Sequence, residues 1–165
     1  MSYDVLLKMS LAIESFILNI EQFCEWASAE NHDYIEAIQL LLSLMSSVPH
    51  LQDFRYKGSD EISPPSRSHE RWKADHENFS DLPFQYHQVV FDPHDLNLEE
   101  TPVTGDLHDD LADILGDLWS GLELHRSGHK TEALSHWIDS YCYHWGHHAS
   151  SELRALDEFY RKEQK

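Results

Sequence analysis

The chain has 165 residues, 41% of them apolar and 12% aromatic, a composition that supports a packed core rather than a disordered chain. Thirty acids against 12 Lys and Arg give a formal charge of −18, and residues 74–125 contain neither Lys nor Arg. Phosphate contacts need a basic face, so nucleic acid and anionic membrane surfaces are excluded as expected partners.

No apolar run approaches the ~18 residues of a membrane span, and the opening MSYDVLLKMS lacks the basic start of a secretory signal. Cys24 and Cys142 form no C-x-x-C pair. The expected location is the cytoplasm, with both thiols reduced.

In chain order, Leu6, Met9, Ile13, Phe16, Ile20, Phe23 and Ala27 follow a 3-4 spacing that predicts a helix over 3–27, uninterrupted by Gly or Pro. Asp33, with Glu36 three residues on, reads as the cap of a second helix. That helix places Tyr34, Ile38, Leu41, Met45 and Val48 inward and stops before Pro49. The short turn makes the two an antiparallel hairpin. Residues 49–66 read as a loop, and 67–79 as a short helix with Trp72, His76 and Phe79 on one side.

Residues 84–103 carry Val89, Val90 and Phe91 between prolines, which predicts an extended segment without a strand partner, lying across the helices. Thr104 or Asp106 then caps a helix to about Arg126, with Leu107, Leu111, Ile114, Leu118, Leu122 and His125 as its inner stripe. Beyond Gly128 a last helix runs from about Lys130 toward Arg161, with Gly146 as the place for a bend. The expectation is an all-α domain over 1–165: an up-and-down bundle of two antiparallel helical hairpins, one short helix and an extended linker.

The chain has no Gly-rich phosphate loop and no nucleophile elbow. His144 and His148 lie four apart, as in helical zinc sites, but Trp145 occupies the position where a zincin needs its glutamate. The Glu-x-x-His pairs of di-iron bundles are absent. Cys142 and His144 are separated by about 200° on a helix, which makes a poor dyad.

One constellation remains. Asp110, Asp113 and Asp117, with Asp106 before them, share a narrow sector of the fourth helix, where like charges at i+3 and i+4 repel. The last helix offers His144, His148 and Glu152 in one row. Asp110, Asp113, Asp117, His144 and His148 are thus candidate ligands for a divalent transition metal such as Zn, Mn or Fe. The competing reading is structural: acids in a first helical turn favour the dipole, and the histidines hydrogen-bond the carboxylates.

The run Asp109-Asp110-Leu111-Ala112-Asp113-Ile114, followed by Asp117-Leu118 and Gly121-Leu122, resembles the signature helix of the bacterial domain-of-unknown-function 5063 family. So do His144-Trp145-Gly146, His148-Ala149 and Leu153-Arg154-Ala155-Leu156, together with Pro49 and Phe91-Asp92-Pro93. Leu115 and Glu152 depart from that pattern. The resemblance implies a cytosolic helical fold without an assigned reaction, and it draws attention to the five candidate ligands.

Two functions follow from these readings. The first is a non-catalytic binding or adaptor protein with a protein partner. The alternative is a metal-dependent protein or small-molecule enzyme with its site between the last two helices. The charge distribution generates one expectation directly: no affinity for DNA or RNA at physiological salt. A salt-dependent gel shift at micromolar protein would overturn it.

Overall fold

The computed structural model describes residues 3–59, 61–91, 93–96 and 101–165. Helix α1 spans Tyr3–Ala27 and α2 spans Tyr34–Ser47. Asp33 caps α2 by accepting from Ile35 N–H at 2.9 Å, and Asn19 of α1 donates to Ser43 and Ser47 of α2, which fixes the hairpin. Phe16, Ile20, Phe23 and Ala27 are buried along the expected stripe, while the Leu6 side chain lies outside the described residues. The buried set of α2 is rotated from expectation to Ala37, Leu40, Leu41 and Leu44. Packing on both sides explains the rotation, since α2 lies against α1 and also against the C-terminal helix, where its Tyr34 meets Phe159 edge-on at 5.4 Å.

The segment read as a loop opens with a 3-10 helix, Val48–Phe54, that buries Val48 and Leu51. Helix α3, His69–Asn78, is capped by Ser68. Its end closes the α1–α2 turn: Asn78 donates to the Ala27 and Ala29 carbonyls, and Asp81 accepts from the His32 backbone and ring.

The extended segment does find a partner. Strand β1, Tyr86–Val89, pairs antiparallel with β2, Val103–Asp106, with His87 opposite Gly105. The expectation of an unpaired coil failed because the second strand is the short stretch leading into the next helix, which lacks an alternating apolar pattern. Asp92 lies outside the described residues.

Helix α4, Leu107–Arg126, and α5, Lys130–Tyr143, form the second hairpin through Gly128 at φ +91°. Leu107, Leu111, Ile114, Leu118 and Leu122 are buried as the spacing predicts, and His125 is half-buried against Trp137. Trp137 is fully buried and donates to the Leu118 carbonyl at 2.9 Å. A Cβ at Gly121 would overlap its indole, so glycine permits the close approach of the two helices.

The expected single last helix is two. The break falls at His144 (φ −145°, ψ −87°), two residues before Gly146, and α6 runs Trp145–Glu163. Gly146 is needed because the start of α6 folds over Tyr141, whose carbonyl a Cβ would strike. Trp145, fully buried, donates to the Trp137 carbonyl and locks α6 onto α5. The molecule is predominantly helical, as expected. Among the described residues no helix is long and apolar enough to cross a membrane.

The helix contacts predict opposite effects at two glycines of α4. Gly121→Ala should lower the urea-unfolding stability by about 1–3 kcal/mol through overpacking against Trp137. Gly116→Ala meets nothing within 4 Å, so it should raise stability by up to about 1 kcal/mol through helix propensity. Equal effects at both positions would contradict the close-packing account.

Candidate metal centre

Helix α4 starts where Asp106 accepts from the His108 and Asp109 amides, and Gln85 holds the other Asp106 oxygen at 2.9 Å. One, two and three turns on, Asp110, Asp113 and Asp117 face the α5–α6 junction. The break at His144 turns its ring toward α4, and His148 follows one helical turn later with its ring centroid 4.9 Å away.

The five candidate ligands come together, in unequal positions. His144 Nδ1 lies 2.9 Å from Asp117 Oδ2, and His148 Nδ1 lies 2.7 Å from Asp110 Oδ1. Both Nε2 atoms face one oxygen, Asp113 Oδ2, at 3.6 Å from His144 and 3.8 Å from His148. Trp72 Nε1 donates to the other Asp113 oxygen at 2.9 Å. Asp113 is therefore the carboxylate between the histidines, while Asp110 and Asp117 stand behind the rings. An antiparallel hairpin with one unbroken last helix would pair Asp110 and Asp113 with the histidines. The break at His144 changes that match.

This geometry has an electrostatic consequence. A neutral histidine that donates its Nδ1–H to a carboxylate presents an Nε2 lone pair on the opposite side. Two such lone pairs facing Asp113 Oδ2 repel it unless a proton or a metal ion lies between them. The hydrogen bond that His144 donates to Asp117 pushes its ring above the ordinary histidine value; burial opposes this, and the charges of Asp117, Asp113 and Asp110 reinforce it. Burial pulls Asp110 upward, but the hydrogen bonds from His148 and Glu152 outweigh it and leave its carboxyl below the usual range.

The network continues inward. Glu152 of α6 has no exposed surface, and its carboxyl meets Asp110. Burial first, and then the Asp110 carboxylate, push Glu152 up to about 11. His87 of β1 brings Nε2 to 3.1 Å from Glu152 Oε1 and 3.2 Å from Ser151 Oγ. Burial lowers the His87 pKa, which favours the neutral ring. A Cβ at Gly105 would lie 2.7 Å from this ring, so the ribbon accepts it only opposite glycine.

Among the described residues, Asp113/His144/His148 and His87/Asp110/Glu152 are each spaced to hold a metal ion, and so are His76/Asp106/His108. In the last group Asp106 is already committed to capping α4. Sequence reasoning missed His87 and Trp72 as parts of the site. Neither carries a spacing signal, because each reaches it from an element distant in the chain.

The fold is that of a known crystal structure, protein BF1032 from Bacteroides fragilis, a structural-genomics target. It is similar to this chain with a TM-score of 0.70 and 16% identity, over 90% of this chain and 94% of that one. No curated protein matches the chain in sequence. A family model, "Domain of unknown function (DUF5063)", matches residues 7–162, and the chain belongs to that family.

A group whose folded pKa is raised stabilises the fold fully below its unfolded value, about 6.5 for histidine, and loses that contribution as pH rises through the folded value. In chelator, Asp117→Asn should therefore melt below wild type at pH 6. The gap should narrow as pH rises past the raised His144 value. A gap independent of pH would show that His144 carries no extra proton in the folded state.

Proposed function

We propose that this protein is a divalent-transition-metal protein whose ion is held by Asp113, His144 and His148, with positions left open for water or a small molecule. The observation that carries the reading is the convergence of both Nε2 atoms on Asp113 Oδ2, with each ligand oriented from behind. Asp117 holds His144, Asp110 holds His148, and Trp72 holds Asp113. Carboxylate-to-histidine support of this kind sets the tautomer and raises ligand basicity.

Donors about 2.0–2.2 Å from one ion at tetrahedral or octahedral angles lie about 3.0–3.5 Å apart. The Nε2–Oδ2 separations of 3.6 and 3.8 Å need shifts of a few tenths of an ångström. Two imidazoles and one carboxylate suit Zn, Mn or Fe(II). The site is open to solvent, since the His144 side chain is 47% exposed. An ion there has the chemistry of a Lewis acid and of a centre that activates bound water.

A protein-binding role, the first expectation from the sequence, also has one observation in its favour. Leu7, Leu11 and Leu18 form an exposed apolar row on the outer face of α1. That surface is separate from the Asp–His centre, and a partner bound there would protect α1 from hydrogen exchange.

The metal reading is tested by thermal unfolding of tag-free protein with and without Zn, Mn or Fe(II). At an ion concentration ~100-fold above Kd the stabilisation is about 2.7 kcal/mol, a rise in Tm of roughly 5–10 °C. His148→Ala should abolish the rise. Asp117→Asn should weaken affinity about 10–100-fold. Affinity should fall as pH drops through the raised His144 value, where a proton competes with the ion for that ring. No response to any of these ions in wild type would sink the proposal.

A further inference from the structure

We infer that His87, Asp110 and Glu152 form a second, buried site for a divalent cation, distinct from the Asp113–His144–His148 centre. The inference rests on its own observation. The Glu152 side chain is 0% exposed, and among the described residues no amide, hydroxyl or ring N–H bonds either of its oxygens, which meet the Asp110 carboxyl instead. His87 Nε2, 3.1 Å away, lies close without bonding geometry, and its Nδ1 is buried and unpartnered as well. A carboxyl group stripped of water and given no donor is costly to bury, more so beside a second carboxylate. Something positive must occupy the space between Glu152 and Asp110.

Among the described residues no lysine or arginine pairs with Glu152 or Asp110. Residues 74–125, which include β1, β2 and most of α4, lack Lys and Arg altogether. Arg154, the basic residue nearest in α6, is exposed at the rim of the adjacent cleft. What the three residues do provide is a donor set. One nitrogen of His87 and one oxygen each from Asp110 and Glu152 lie within 4.8 Å of one another. Two carboxylates and an imidazole suit Zn, Mn or Fe(II).

The surroundings fit a cation as well. The His87 ring is fixed between Phe84, 6.3 Å away, and Gly105. Asp110 and Ser151 line a cleft of about 360 Å³ between the β-ribbon and α6, together with Val89, Val103 and Arg154, and Asp110 is the one of the three residues that the cleft reaches. The two centres lie on opposite sides of one hydrogen bond: His148 gives Nε2 to the outer centre and Nδ1–H to Asp110, a ligand of the inner one. The competing occupant of the inner site is a proton shared between Glu152 and Asp110.

Ion stoichiometry separates these cases and separates this site from the outer one. Tag-free protein is stripped with chelator, dialysed against micromolar Zn2+ and analysed for bound zinc per chain. Wild type should bind one equivalent more than Glu152→Gln, and also one more than His144→Ala, with the double variant lower by two. His87→Asn is measured in parallel and should match Glu152→Gln, so the result stands even if one variant folds poorly by circular dichroism. If Glu152→Gln and His87→Asn bind as much zinc as wild type while His144→Ala loses one equivalent, the inner site holds a proton and only the outer reading survives. If zinc is lost in Glu152→Gln and His87→Asn but retained in His144→Ala, the inner site stands and the outer one falls.

Discussion

Helix α4 lies at the centre of the molecule, and its first three turns carry aspartates in a stretch, residues 74–125, that contains no lysine or arginine. It contacts α1, α3, α5 and α6, so its acids face protein on several sides and cannot all turn to water. Asp106, Asp110, Asp113 and Asp117 each find a different partner. Asp106 takes the free amides at the helix start and the Gln85 side chain. Asp110 takes His148, Asp113 takes Trp72, and Asp117 takes His144. Lysine or arginine partners would close this face as ion pairs. Histidine keeps a second nitrogen free after the first is used, and here both Nε2 atoms face the one oxygen Asp113 Oδ2.

The break between α5 and α6 matters for the same reason. On one straight helix a residue at His144 and another at His148 would stack along the axis, and His144 would have to match a single position of α4. The turn at His144 lets its ring span two positions, 2.9 Å from Asp117 and 3.6 Å from Asp113. Trp145 holds the break in place from inside, through its bond to the Trp137 carbonyl, and Gly146 makes room for it over Tyr141. The apolar packing of two tryptophans thus aims a polar side chain on the opposite side of the chain. The β-ribbon plays the corresponding part at the other end, where pairing His87 with Gly105 directs an imidazole toward Glu152.

Much of this was legible in the residues. Periodicity located the helices because each must bury a stripe, and caps such as Asp33 and Asp106 marked where free amides need an acceptor. Aspartates at 110, 113 and 117, and histidines at 144 and 148, advertised themselves by helical spacing. The deeper half of the site did not. Glu152 shares the histidines' row, but its burial depends on the ribbon that covers it. His87 sits in a four-residue strand whose partner begins fourteen positions after its end, too far for any local pattern to register. Trp72 looked like an ordinary inward residue of a short helix, and its bond to Asp113 depends on where α3 docks.

The sequence by itself determined the helical class, the hairpin pairing of its helices, the acidic character and the set of outer Asp and His side chains, because all of these follow from local spacing and composition. Tertiary structure alone decided which carboxylate stands between the two histidines and which stand behind them. It also set the direction of each ring nitrogen and enclosed Glu152 with His87. Those outcomes depend on distances of a few tenths of an ångström and on the exclusion of water. Both arise only when elements far apart in the chain pack together.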